Sequence, residues 1–392
     1  MISFSIPGMA RVYPSVELWR PLLDKVALQS GHPESTRVRE LGAAVRGLSL
    51  RYNEESRDTH VAMSVADYAA RLQFQFLRDL PKACLAMREV IAARSWQHDG
   101  TSPLRVLDVG AGLGAMTWGV IEALEETGAP REWDLCMIDR DPVVLRLADA
   151  IASARAKVGL RWKCDVSETL PKGPWDIIVF GNVLSEIARG SDENERLRLH
   201  ADLVHRAKQE LSPRGVLLVI EPALRTRTRW LHRLRAQVLE RGSLHVLAPC
   251  LHSAACPMLP REEDWCHEDR PIDLPSWLVP VAKEAGLRWE GLTFSFLALA
   301  TEPRTRGGER KAELRVVSPI KNTKGKCEFE VCGQDVGPIQ GILRRLDRDR
   351  SPTNEGFEKL DRGSVFRMEI HPEMQKGDAL RVLRETPVEC ER

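Results

Sequence analysis

Three cysteines fall within seventeen residues, Cys250, Cys256 and Cys266, in Ala248-Pro-Cys-Leu-His-Ser-Ala-Ala-Cys-Pro-Met-Leu-Pro-Arg-Glu-Glu-Asp-Trp-Cys-His267. Pro249, Pro257 and Pro260 keep this stretch out of regular structure, so the thiols belong to a loop that holds something. Thiolates are soft ligands for zinc and for iron–sulfur clusters. Spacings of six and ten are looser than the paired knuckles of structural zinc, and they leave one ligand to come from elsewhere. Four thiolates are the usual set for a [4Fe–4S] cluster. His252 and His267 keep zinc open as the alternative. The C-x3-C-x2-C loop of radical chemistry is absent.

A second constellation is Arg105-Val-Leu-Asp-Val-Gly-Ala-Gly-Leu-Gly-Ala-Met-Thr117. An apolar strand runs into Gly110, Gly112 and Gly114, and a helix follows. Glycines let the backbone turn tightly and approach a ligand, and the helix N-terminus offers unpaired N–H groups. Asp108 stands two residues before the first glycine, giving D-x-G-x-G-x-G where a dinucleotide fold has G-x-G-x-x-G/A. Asp139 closes the next strand, where a carboxylate can accept both ribose hydroxyls. Asp165 follows the third strand, placed to meet an adenine amino group. For both, helix N-capping is the alternative. Glycine loop, ribose acid and adenine acid in this order resemble a class I S-adenosylmethionine-dependent methyltransferase. The fourth strand ends Phe180-Gly-Asn-Val-Leu-Ser-Glu186 and lacks the Asn/Asp-Pro-Pro-aromatic motif of amino-methylating enzymes. Asn182 and Glu186 are the catalytic candidates there, with loop capping as the alternative.

The elements that must position these groups are legible as patterns. Residues 1–100 read as a helical region, with apolar spacing at Leu18, Leu22, Leu23 and Val26 and again at Tyr68, Leu72, Phe76 and Leu80. This region, with Arg51-Tyr-Asn-Glu-Glu-Ser-Arg57 between its helices, reads as a bundle or lid without a catalytic role. Residues 101–302 alternate strands (Arg105–Val109, Leu135–Ile138, Leu160–Lys163, Ile177–Phe180, Val216–Ile220, Thr293–Ala300) with helices such as Val143–Ala154 and Glu195–Leu211. Such alternation predicts a mostly parallel sheet covered on both faces, an α/β, Rossmann-like domain whose cysteine loop spans 248–268. Thr301–Lys311 reads as a polar linker. Residues 303–392 read as a small β-rich domain, a barrel being one form, with runs at Leu314–Val317, Glu328–Val331, Val365–Ile370 and Leu380–Leu383.

The 392 residues carry a net charge of +1, so nucleic acid must be bound by local patches rather than a global field. Nine cysteines scattered over the chain do not form a secreted disulfide framework. No secretory signal and no membrane span are seen. A soluble, cytoplasmic, monomeric protein is expected, with no membrane or DNA partner.

Several segments resemble the Rsm-twenty-two family, methyltransferase-like assembly factors of the mitochondrial small ribosomal subunit and their bacterial relatives. They are Leu107-Asp-Val-Gly-Ala-Gly-Leu-Gly with Trp118, Val183-Leu-Ser-Glu-Ile187, Ile220-Glu-Pro222, Arg78-Asp-Leu-Pro81, Ala248-Pro-Cys-Leu-His-Ser-Ala-Ala-Cys-Pro-Met and Trp265-Cys-His267. The similarity covers roughly residues 50–335. It implies S-adenosylmethionine binding, action on or near rRNA of the small ribosomal subunit, and a [4Fe–4S] cluster on Cys250, Cys256, Cys266 and a cysteine from Lys326-Cys-Glu-Phe-Glu-Val-Cys-Gly333. Cys332, which precedes a glycine turn as in the family, is preferred to Cys327. Such a cluster would clasp the sheet domain to the C-terminal domain. The chain departs from the family in Ala223-Leu-Arg after Glu-Pro and in Glu268, where an aromatic is expected.

Arg225-Thr-Arg-Thr-Arg-Trp-Leu-His-Arg-Leu-Arg235 carries five arginines. On a helix, Arg225, Arg227, Arg229 and Arg233 could meet RNA phosphates and Trp230 could stack on a base. A solvated amphipathic helix packed on the sheet is the alternative. A second basic stretch runs from Arg304 to Lys326. Three functions compete: a methyltransferase of the small subunit, a non-catalytic RNA-binding assembly factor, and a small-molecule methyltransferase with structural zinc.

Overall fold

The computed structural model describes residues 11–12, 14–31, 37–53, 63–93, 102–128, 132–304, 311–333 and 340–390. Most of the linker and residues 54–57 of the Arg51–Arg57 stretch lie outside them. The order is β1 (Arg11–Val12), α1 (Pro14–Gln29), α2 (Val38–Asn53), α3 (Val65–Ala70), a π-helical turn (Arg71–Gln75), α4 (Phe76–Ala92), β2 (Leu104–Val109), α5 (Ala115–Glu125), β3 (Trp133–Asp139), α6 (Pro142–Ala154), β4 (Leu160–Val166), β5 (Trp175–Gly181), α7 (Glu193–Gln209), β6 (Leu211–Glu221), α8 (Arg225–Glu240), β7 (His245–Ala248), β8 (Glu268–Asp273), α9 (Val279–Glu284) and β9 (Glu290–Ala300). The C-terminal part adds β10 (Ala312–Val316), β11 (Lys321–Thr323), β12 (Lys326–Gly333), β13 (Gln340–Leu346), β14 (Val365–Met368), β15 (Gln375–Lys376), β16 (Ala379–Val382) and β17 (Glu389–Cys390).

Five parallel strands lie in the order β4-β3-β2-β5-β6, and β9 joins β6 antiparallel. Both β7 and β8 pair with β9, at its two ends. This is the class I methyltransferase arrangement of a Rossmann-like sheet. Its consecutive apolar residues serve two cores, because neighbouring side chains on a strand point to opposite faces. Ile177 and Val179 join the core under the N-terminal helices, α5 and α6; Ile178 and Phe180 join the core under α7 and α8. Trp19, Phe76 and Leu80 share the former core with Trp118 of α5, so the helical region is part of the sheet's own core.

The C-terminal strands form a separate eight-stranded sheet, β15-β16-β13-β12-β10-β14-β17 with β11 beside β12, around Leu314, Phe329, Leu343, Phe357 and Phe366. Its pairing runs from β15 to β17 without closing into a barrel among the described residues. Strand β13 has no counterpart in the sequence expectation. Among the described residues, no helix is long and apolar enough to cross a membrane.

Candidate functional site

The glycine loop leaves the C-terminal end of β2. Gly110, Gly112 and Gly114 have φ of +67°, +54° and +79°, the left-handed region that side chains resist. A Cβ on Gly110 would fall 2.3 Å from Val183 Cγ2, and one on Gly114 would fall 2.8 Å from Met137 Sδ. The loop is thus packed from behind at those two positions. Gly112 differs: among the described residues beyond its chain neighbours, only Arg71 Nη1, at 4.0 Å, comes near its missing Cβ. The open side of the loop is a cradle that a side chain would fill.

Asp108 does not reach into the cradle with the oxygen that bonds. Its Oδ2 accepts from Thr117 N (3.2 Å) and Thr117 Oγ1 (2.7 Å), stapling β2 to α5. Oδ1 is buried without a partner. Burial pushes this carboxyl up to about 7. Asp139 Oδ2 accepts from Gly112 N at 2.9 Å, and Oδ1 from Asp141 N at 2.9 Å. Helix α6 is capped by Asp141, which accepts from Val143 N at 2.8 Å, so Asp139 is not its cap. Asp165 lies opposite Ile138 in the pairing of β3 with β4 and is ion-paired with Lys163; no helix follows it for it to cap.

Past β5, Asn182 takes a left-handed φ of +56°, and its Oδ1 is buried without a partner. Ser185 O accepts from Arg189 Nε (3.0 Å), Arg196 Nη2 (3.2 Å) and Arg227 Nη1 (3.3 Å). Glu186 lies 3.7 Å from Arg140; burial pushes its carboxyl up, against the pull of Arg71, Arg189 and Arg140. Glu221, of the Glu-Pro pair, accepts from Ser185 N at 3.3 Å, and burial pushes it up to about 7. Sequence reading did not single out Glu221 as a site group. It also missed Tyr52 and Arg71: Tyr52 Oη accepts from Arg71 Nε and Nη2, and Tyr52 O accepts from Arg189 Nη2. The helical region therefore contributes side chains to the pocket. Their local spacing carried no signal beyond core packing.

The four cysteines named from the resemblance, Cys250, Cys256, Cys266 and Cys332, line one cavity with His232, His252, His267 and Arg235. Cys332 Sγ is 3.3 Å from His252 Nε2. Cys327 lies elsewhere, beside the C-terminal core and opposite Arg345. The two cysteines of β12 are five apart, an odd spacing, so the strand turns them to opposite faces. Burial raises the Cys256 thiol to about 11 and the Cys332 thiol to about 12, so metal uptake would have to displace protons. Among the described residues, no three His, Cys, Asp or Glu side chains are arranged to hold a single metal ion. Four thiolates are the donor set that a [4Fe–4S] cluster would take, one per iron. Buried Arg235 supplies positive charge at the cavity, and its Nε has no partner.

Helix α8 is the scaffold of the cysteine loop. Arg229, His232 and Arg235 are three apart and share one face. Arg229 donates to the carbonyls of Met258 (3.1 Å), Leu259 (3.0 Å), Arg261 (2.6 Å) and Asp264 (2.8 Å). Arg235 donates to Ala254 O (2.8 Å) and His252 O (2.6 Å), and His232 Nε2 accepts from Cys266 N (3.2 Å). Of the arginines named for RNA, Arg229 is held by the loop and Arg227 is buried. Arg233 pairs with Glu193, Trp230 donates to His200 Nδ1 at 3.1 Å, and Arg225 is exposed. The departure at Glu268 has a local reason. Its carboxylate meets Arg315 at 2.8 Å, inside a buried group that also holds Glu89 and Arg270.

The sequence model of the family described as "Mitochondrial small ribosomal subunit Rsm22" matches residues 74–345. Among curated proteins no relative matches. Solved structures similar in fold include the plantazolicin methyltransferase BpumL in complex with SAH (9% identity, 72% of this chain and 100% of that one, TM-score 0.34). Others are a putative class I S-adenosylmethionine-dependent methyltransferase from Listeria monocytogenes (12%, 74% and 91%, 0.38) and human methyltransferase 10 domain containing protein (12%, 67% and 96%, 0.35). At such identities no residue assignment rests on them.

Proposed function

The chain belongs to the Rsm22 family, and on that premise we propose that it is an S-adenosylmethionine-dependent, methyltransferase-like factor of the small ribosomal subunit that carries a [4Fe–4S] cluster. The observation that carries the cofactor assignment is the cradle itself. Three left-handed glycines expose the open side of Gly112 beside Asp139, at the C-terminal ends of adjacent parallel strands. In doubly wound sheets that edge is where ligands bind. Gly110, Gly112 and Gly114 would form the cradle, Asp139 would take the ribose hydroxyls, and Asp165 would reach the adenine. The bound donor supplies an electrophilic methyl group; the chain's part is to hold the acceptor in line with it. Asn182 and Glu186, at the mouth of the loop after β5, are the groups for orienting that acceptor and taking its proton.

Cys250, Cys256, Cys266 and Cys332 would ligate the cluster, three from the loop and one from β12. Its role is a clasp between the sheet domain and the C-terminal domain. All nine cysteines are free, which suits a reducing compartment that contains ribosomes. Contact with rRNA would involve exposed Arg225 rather than the inward-facing Arg227 and Arg229. A second, non-catalytic reading as an assembly factor draws on one observation: the Ser185 carbonyl beside Glu186 is already held by three guanidiniums.

Methyl transfer to immature small subunits, comparing wild type with Asp139→Ala, separates the two readings. Asp139→Ala is the cleaner variant because Asp108 also staples α5. Transfer by wild type that Asp139→Ala loses supports the enzyme. Subunit binding without transfer supports the assembly factor.

A further inference from the structure

We propose that Arg71, held in place by Tyr52, recognises the α-carboxylate of an amino-acid-bearing nucleoside and so sets the pocket's preference for S-adenosylmethionine and S-adenosylhomocysteine over nucleosides that lack that carboxylate. The inference rests on the cofactor reading above and adds the residue that reads the amino-acid end of the ligand.

Arg71 opens the π-helical turn Arg71–Gln75, which interrupts an otherwise α-helical run from Val65 to Ala92. Such turns recur where a helix must present a side chain to a functional site. Two of the guanidinium's nitrogens are committed: Nε, at 3.1 Å, and Nη2 both donate to Tyr52 Oη. Nη1 makes no hydrogen bond among the described residues. Among the described residues other than Gly112 and its two chain neighbours, it is also the one atom within 4.0 Å of the missing side chain of Gly112. The free nitrogen therefore faces the open side of the cradle.

The helix that follows the glycine loop opens with donors suited to an anion. Gly114 caps α5 without a side-chain hydrogen bond, and the N–H groups of Ala115 and Met116 have no acceptor among the described residues. A guanidinium with a free nitrogen at Gly112 and open helix N–H groups at the end of the same loop match a carboxylate. Glu186 and Asp139 lie within electrostatic reach of Arg71, and Arg140 and Arg189 within reach of Glu186, so the pocket holds charges of both signs. That combination suits a zwitterion, the amino-acid end of the methyl donor, better than a phosphate. Tyr52 acts through Arg71: it fixes two nitrogens and leaves the third aimed at the cradle.

The test compares two ligands on the full-length protein by calorimetric titration. S-adenosylhomocysteine carries the carboxylate; 5′-methylthioadenosine keeps the adenosine and thioether without it. Arg71→Ala is expected to weaken S-adenosylhomocysteine by about tenfold to a hundredfold, the range for a lost charge-assisted hydrogen bond, while 5′-methylthioadenosine changes by less than about threefold. Arg71→Lys should recover part of the loss, since the charge returns without the fork. If Arg71→Ala does not fold, the ratio of the two affinities in Arg71→Lys decides. Equal weakening of both ligands, or of neither, overturns the assignment while leaving the cofactor reading intact. Wild type that binds neither ligand overturns both.

Discussion

Replacing Arg315 by leucine should loosen the C-terminal domain from the rest of the chain. Arg315 of β10 lies between Glu89 of α4 (2.9 Å) and Glu268 of β8 (2.8 Å), and Arg270 contacts the same two carboxylates at 2.9 and 2.8 Å. Two arginines and two glutamates thus form a neutral, alternating group that joins the helical region, the strand after the cysteine loop and the C-terminal sheet. Burial works against the Glu268 charge, yet Arg315 and Arg270 hold its carboxyl below the usual range. With Arg315 side-chain exposure at 3% and Glu268 at 5%, water cannot replace the lost partner. Removing one member of such a buried group costs about 3–5 kcal/mol, because a carboxylate is left uncompensated. Arg315→Leu with Glu268→Leu leaves one matched pair, Glu89 with Arg270, so the double variant should recover about 1–3 kcal/mol relative to the sum. Hydrogen exchange of β10 and β12 is the assay. Both should lose protection in Arg315→Leu and regain part of it in the double variant. Protection equal to wild type, or strictly additive losses, would refute the reasoning.

Two further outcomes follow from the same contacts. Cys332→Ser should lose iron and the visible absorption of anaerobically purified protein while Cys327→Ser keeps both, since only Cys332 faces the cavity; a colourless, zinc-loaded wild type would remove the cluster altogether. Asp108 ionises near pH 7 in the fold against about 4 in the unfolded chain, so the folded state binds more protons between those values. That group's stabilisation is therefore fully present below about pH 4 and is lost as pH rises to 7. Measured as the difference in unfolding free energy between Asp108→Asn and wild type, so that the buried histidines cancel, the variant should gain at most about 4 kcal/mol over that range. A difference flat with pH would show that Asp108 is already ionised.

The parallel sheet and the glycine loop were legible because each strand is a short apolar run and the loop's glycines leave few other backbone solutions. Element ends were less so. Helix α7 begins at Glu193 because Asp192 accepts from Asn194 N and Glu195 N, and β9 starts at Glu290 because it changes partners along its length. Strand β13 hid behind charge: Arg344 and Arg345 interrupt its apolar run, and Glu328 and Glu358 pair with them. The inward face of α8 was illegible for a related reason. A spacing of three says that Arg229 and Arg235 share a face, not that backbone carbonyls of a later loop will cover it. Arg71 and Tyr52 were illegible because the pocket groups they meet, Asp139, Glu186 and Arg189, lie far along the chain on other elements. That Cys327 and Cys332 turn to opposite faces, by contrast, was available in the odd spacing along one strand.

Binding of S-adenosylhomocysteine to anaerobically purified protein, followed by calorimetry for wild type and Asp139→Ala, tests the central claim most directly. The account predicts one site per chain and a loss of at least about tenfold when the Asp139 carboxylate is removed. No saturable binding by a folded, metal-loaded wild type would contradict it.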